Sequence, residues 1–144
     1  MIDGPSGTGK TWMLTMLGKQ ACLGLLRVEY YRFSKFLELL AGAREGNQMN
    51  SLLEQFRRCS VLMIDDFGLS SVSSDAASDL LTVLTEREGR SSVAIASQLP
   101  FEEWLKSLGG GHSADAIIDR LLNTCYKFNL DGRSLSELKM HGMK

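Results

Sequence analysis

Apolar residues recur along this chain in two rhythms, short unbroken runs and helical stripes, and the two alternate. Trp12, Met13, Leu14, Met16, Leu17, Ala21 and Cys22 make the stretch from Lys10 to about Leu23 apolar nearly all round. Such a pattern predicts a helix packed on more than one side. "LRVEYY" (26–31) is rich in β-branched and aromatic residues and predicts a strand. Phe33, Phe36, Leu37 and Leu40, then Met49, Leu52, Leu53 and Phe56, recur at helical spacing on either side of a "GAREGN" loop. "SVLMID" (60–65) is a continuous apolar run of the kind buried in a parallel sheet. Ala77, Leu80, Leu81 and Leu84 predict another amphipathic helix, and "SSVAIAS" (91–97) another buried strand. Pro100 suits the first turn of a short helix through Leu105, with Glu102 and Glu103 near its positive end. Ala114, Ile117, Ile118, Leu121 and Leu122 mark a last helix, with Ser113 as the expected N-cap, and "CYKFNL" (125–130) a last strand.

Strands alternating with helices predict an α/β fold with a parallel sheet. In that architecture ligands bind at the carboxyl ends of the strands. The informative strand ends are Asp3, Asp65 and Ser97.

Composition narrows the picture. With 144 residues, 44% hydrophobic and 23% charged, the chain is sized and filled for one folded domain rather than a disordered one. A net charge of -1 provides no global attraction to nucleic acid, so any contact with DNA needs a local basic patch. Three cysteines (Cys22, Cys59 and Cys125) without a C-x-x-C pair argue against a disulfide framework or a zinc site. They read as buried thiols in a reducing cytoplasm. No apolar run reaches the ~20 residues of a membrane span.

The candidate chemistry lies at two of the strand ends. "GPSGTGKT" (Gly4, Pro5, Ser6, Gly7, Thr8, Gly9, Lys10, Thr11) matches G-x-x-x-x-G-K-[ST] in full. Glycines let the backbone curl so that N–H groups face phosphate oxygens, and the helix that follows adds positive potential. Lys10 reaches the β- and γ-phosphates, and the Thr11 hydroxyl is a ligand for Mg²⁺. "VLMIDD" (61–66) ends a strand in two acids. Asp65 falls where it can hold Mg²⁺ beside Thr11, directly or through water. Asp66 points toward the γ-phosphate, to orient or deprotonate an attacking water.

Two further positions remain open on residues alone. Ser97, at the next strand end, reads as a polar sensor of the γ-phosphate or as an ordinary turn serine. Arg120 lies about 130° from the centre of its helix's apolar stripe and should project outward. It is either an arginine finger reaching a neighbouring subunit or a surface arginine paired with Asp115 or Asp119.

Taken in order, "GPSGTGKTW", "VEYYRFSKFLELLA", "LMIDDFGL", "ASQLPFEEW" and "ADAIIDRLL" resemble the IstB-like transposition helper ATPases. These belong to the AAA+ clade that also holds the DnaC-type helicase loaders, and the resemblance runs from Gly4 to about Ser134. It implies a three-layer αβα P-loop core with strand order 5-1-4-3-2. It implies ATP with Mg²⁺ bound between subunits that assemble in an arc or ring on DNA. The partner would be a transposase or a replicative helicase. By position, Gly9, Lys10 and Thr11 match the family's phosphate loop and Asp65 and Asp66 its acidic pair. Ser97 falls at the first sensor and Arg120 at the arginine finger. The helix from Phe33 to Ala43 resembles the extra helix of initiator-type members, which can meet DNA. Lys35, Arg32 and Arg44 then form either a basic surface that holds phosphates without reading bases or a plain solvated face.

The chain departs from the family in two places. The helical N-terminal region and most of the first strand are missing, so a single domain over 1–144, truncated at its N-terminus, is expected. The tail reads Gly132-Arg133-Ser134-Leu135-Ser136 where the family tends to carry Gly-x-Ser-x-Arg, with serine in place of a second sensor arginine. Three readings follow: an ATPase that helps a transposase, a helicase loader of the same clade, or a nucleotide-binding fragment without catalysis.

Overall fold

A computed structural model describes residues 1–123 and 125–132. Its elements are β1 (Ile2–Asp3), α1 (Lys10–Leu23), β2 (Val28–Arg32), α2 (Phe33–Glu45), α3 (Met49–Arg57), β3 (Val61–Asp65), α4 (Ser74–Arg87), β4 (Ser92–Ser97), α5 (Phe101–Ser107), α6 (Gly111–Leu122) and β5 (Phe128–Asn129). The strands form one sheet in the order β2-β3-β4-β1-β5, every pairing parallel. This is the expected αβα arrangement and the expected strand order, written from the other edge.

β1 has only two residues, yet it sits inside the sheet. Ile2 pairs with Ala96 on one side and Phe128 on the other, and Asp3 with Ser97 and Asn129. The chain leaves β1 through Gly4 at φ 146°, where an added Cβ would stand 2.3 Å from the Leu130 carbonyl oxygen. Only glycine fits that position beside β5.

Alternation along the strands sorts side chains to two faces. Leu62, Ile64 and Ile95 face a large core with α2 to α6, in which Phe33, Phe36, Phe56, Phe67, Leu80 and Trp104 are fully buried. Met63, Ile2 and Ala96 face α1, where Leu14 completes a much smaller cluster. Gly18 lets α1 press onto the sheet: a Cβ there would come within 2.8 Å of the Met63 sulfur.

Several expectations are corrected. Among the described residues α1 packs on one side and not on more: Trp12 and Leu23 are each 69% exposed and Met16 and Leu17 are exposed as well. Hydrophobic composition marks a helix, but a partner element must exist to cover each face. Helix α6 starts at Gly111 with Gly110 as N-cap, three residues ahead of the expected cap Ser113. Three consecutive glycines at positive φ (Gly109, Gly110 and Gly111) turn the chain directly into the helix. Of the three free cysteines only Cys59 is buried; Cys22 is exposed and Cys125 half-buried. The final strand is shorter than expected, Phe128–Asn129. Arg133, Ser134 and Ser136, the expected second-sensor segment, lie outside the described residues.

Candidate nucleotide site

The loop from Gly4 to Gly9 runs from the end of β1 to the start of α1. Gly9 occupies the N-cap at φ 96° and ψ 14°, a left-handed conformation, with no side chain capping the helix. The first turn of α1 also carries no acidic residue. Its N–H groups and positive end are therefore left for an external anion, which suits phosphate. Pro5 organises the loop: its carbonyl accepts from the Thr8 hydroxyl at 2.9 Å and from Lys10 Nζ at 2.5 Å. Ser6 and Gly7 are exposed at the loop's crest, and Thr11 presents an exposed hydroxyl at the start of the helix.

Lys10 is only 7% exposed. Burial pulls its ammonium below the usual lysine range, while Asp65, Asp66 and Asp3 pull it back up. The loop cation and the strand-end acids thus lie within electrostatic reach of one another.

Asp65, 2% exposed, ends β3 on the α1 face. Its Oδ1 accepts from the Asp66 backbone N–H at 2.9 Å, and its Oδ2 from the Tyr30 hydroxyl at 2.7 Å. Burial first, then the bond to Asp65 and its charge, push the Tyr30 hydroxyl up to about 12, so it remains a donor at neutral pH. Asp66 adopts φ 55°, a left-handed conformation uncommon for a side chain other than glycine and tolerated best by short polar ones. Phe67 then anchors the turn by donating its N–H to the Ala96 carbonyl at 2.9 Å, with its ring 4.5 Å from Phe33 and 4.7 Å from Trp104.

Ser97 lies on the other side of its strand from the loop. It is fully buried; its hydroxyl donates to the Phe67 carbonyl at 2.7 Å and accepts the Leu99 N–H at 3.1 Å. It braces the two strand ends. The next residue, Gln98, is half-buried and donates its Nε2 to Asp66 Oδ1 at 3.4 Å. Gln98 is the polar side chain that reaches the acid. Sequence reasoning passed it over, although shifting by one residue at the end of a strand moves a side chain to the opposite face.

Arg120 lies at the far pole. There a cleft of about 610 Å³ is lined by Arg87, Glu88, Arg90, Arg120, Tyr126 and the first residues of β4. Because all strands are parallel, this is the end of the sheet opposite the loop. Arg120 is 30% exposed; its Nε lies 3.3 Å from Glu88 and its NH1 donates to the Ala116 carbonyl at 3.3 Å. Its acidic partner is thus Glu88 rather than Asp115 or Asp119. In the basic segment around α2, Arg44 forms a two-pronged pair with Asp79 of α4, at 2.8 Å and 2.6 Å. Lys35 pairs with Glu38 at 2.7 Å. Arg32 is exposed at the end of β2, opposite Asp65 in register.

The donor set fits the expected ligands. Free amides at a helix start and a buried ammonium suit a polyphosphate. A hydroxyl and a buried carboxylate are hard oxygen donors, and Mg²⁺ commonly takes one or two such protein ligands beside phosphate and water. Among the described residues no helix is long and apolar enough to cross a membrane.

The fold and the glycine-rich loop together define a domain of the three-layer αβα P-loop type. Comparison with known proteins agrees. Residues 1–141 match the family model described as IstB-like ATP binding protein, and the chain belongs to that family. It is 39% identical over 134 residues to the insertion sequence ATP-binding protein y4pL of Sinorhizobium fredii, covering 93% of this chain and 55% of the relative. It therefore spans about half the length of that protein. Among solved structures, a replication initiator DnaA bound to AMPPCP and single-stranded DNA superposes with a TM-score of 0.78 at 18% identity. That match covers 99% of this chain and 45% of the other. The DnaC helicase loader superposes with a TM-score of 0.73 at 15% identity, covering 90% and 76%. These two likenesses concern the fold.

Proposed function

We propose that this domain binds and hydrolyses ATP with Mg²⁺ as a helper of DNA transposition, assembling on DNA beside a transposase. The observation that carries the reading is the convergence, at one end of the sheet, of an uncapped glycine-rich helix start, buried Lys10 and buried Asp65. Membership of the IstB-like family and the insertion-sequence name of the relative favour transposition over other uses of a P-loop.

In this reading the amides of Gly7 to Thr11 and the Lys10 ammonium hold the phosphates. Thr11 and Asp65 would hold the metal, whose chemistry when bound would be charge neutralisation on the polyphosphate. Asp66 takes or orients the proton of the attacking water. Gln98, bonded to Asp66, keeps that carboxylate aimed and offers an amide toward the γ-phosphate. Ser97 contributes by fixing the strand end from which Gln98 projects. Arg120, at the opposite pole, is too remote for its own site, and its placement favours action on the nucleotide of a second copy. That requires release from Glu88, a partly exposed pair of small intrinsic worth. DNA would be met through exposed Arg32 and the α2 face, in a backbone-directed and sequence-independent manner. The engagement of Arg44 by Asp79 and of Lys35 by Glu38 reduces the charge available there.

The test is ATP turnover with DNA and Mg²⁺ present. Lys10→Ala should abolish binding and turnover together; Arg120→Ala should keep binding and lose turnover. Equal turnover in the wild type and the Lys10 variant ends the reading. A helicase-loading role is the second reading, supported by the fold likeness to the DnaC loader. Stimulation of turnover by a replicative helicase and not by a transposase would favour it. A domain that binds ATP·Mg²⁺ but never turns it over would be a nucleotide-gated scaffold.

A further inference from the structure

The chain places two tyrosines side by side, and the strand sends them to opposite faces. Tyr31 turns into the main core, with its ring 5.6 Å from Phe36 and its hydroxyl donating to Glu29 at 2.9 Å. Tyr30 turns to the α1 face, where it crosses diagonally from β2 to the end of β3. In register it sits opposite Met63, two residues short of Asp65, and its length brings the hydroxyl to Asp65 Oδ2 at 2.7 Å.

The consequence lies in the geometry of the carboxylate. An Asp side chain at a strand end has two soft torsions and, when buried, must have its oxygens satisfied. Here each oxygen receives one fixed donor: the Asp66 N–H on Oδ1 and the Tyr30 hydroxyl on Oδ2. Each carboxylate oxygen has two acceptor sites, so one on each remains for a further ligand. The backbone donor cannot be removed by substitution; the tyrosine donor can. Tyr30 sits on the edge strand and is 43% exposed as a residue, so the core does not depend on it.

We infer that Tyr30 is a positioning residue for the divalent-metal site: its hydroxyl holds the Asp65 carboxylate in the orientation that accepts Mg²⁺ with the nucleotide. This rests on the nucleotide site proposed above. Donors that orient a ligating carboxylate typically govern metal affinity by ~10- to 100-fold, and Tyr30 is the side chain placed to do so here. Phenylalanine at this position would keep the ring and lose the donor.

The experiment compares wild type, Tyr30→Phe and Asp65→Asn in calorimetric titrations with ATP at a series of Mg²⁺ concentrations, including none. Tyr30→Phe should bind metal-free ATP within about twofold of wild type and need roughly tenfold more Mg²⁺ for half of the metal-dependent gain in affinity. Asp65→Asn should lose that gain. The spectrum of Mn²⁺ bound with ADP, read by electron paramagnetic resonance, should differ between Tyr30→Phe and wild type, which a purely structural tyrosine would not produce. If Asp65→Asn loses the gain while Tyr30→Phe matches wild type in both titration and spectrum, the inference about Tyr30 is overturned and the site stands. If Asp65→Asn itself keeps the full Mg²⁺ dependence, the metal site is wrongly assigned and Tyr30 falls with it.

Discussion

The two faces of the sheet are built to different depths. Among the described residues, the face toward α2 to α6 gathers twenty buried apolar side chains into one cluster, and the face toward α1 gathers four. The glycine-rich loop, Lys10, Asp65 and Tyr30 all belong to the shallow face. Side chains there close over a single helix whose outer surface, at Trp12, Met16 and Leu23, meets solvent. The proposed binding machinery thus sits where little burial energy opposes local movement, and the scaffold behind it lies across the sheet, where packing is dense. Phe67 and Ser97 link the two: both belong to strand-end segments of the site, and both bury their side chains on the deep face.

The largest expected effect breaks the deep side. Phe56→Ala removes a ring that contacts Tyr31 and Phe36 in the main cluster and should cost about 3–5 kcal/mol in urea unfolding. Leu14→Ala on the shallow side should cost less, about 2–3 kcal/mol, because α1 can settle toward the sheet. It should also weaken ATP binding, which Phe56→Ala in the surviving folded fraction should not. Native-state hydrogen exchange sharpens the contrast: amides of α1 should open at lower free energy than those of β3 and α4. Equal protection on both faces would remove the distinction. The smallest effect concerns a cap. The Ser73 hydroxyl accepts the Ala76 N–H at 3.2 Å, and Ser73→Ala should cost about 1 kcal/mol without touching ATP binding.

Much of this was legible in the chain because the informative residues are contiguous. A glycine-rich loop that opens a helix and an apolar run that ends in two acids each carry their own geometry, and a parallel sheet brings the two ends together. What remained hidden depended on partners distant in sequence. Nothing in the α1 stripe says whether a second layer covers Trp12. The role of Arg44 is set by Asp79, 35 residues away. Arg87, fully buried, donates to the carbonyls of Phe56 and Ser92 and so ties α3 to β4, an arrangement no local pattern announces. The assignment of Ser97 rather than Gln98 turned on strand phase at a terminus, where a one-residue uncertainty exchanges the two faces. Tyr30 and Tyr31 read alike until the pleat separates them.

Central to the proposed function is the grip on the triphosphate by the buried ammonium of Lys10 and the amides at the start of α1. Calorimetric titration of wild type and Lys10→Ala with ATP and Mg²⁺ tests it most directly. The expected result is saturable binding at micromolar ATP in the wild type and none over the same range in a variant that melts normally. Matching affinities in the two proteins would contradict it.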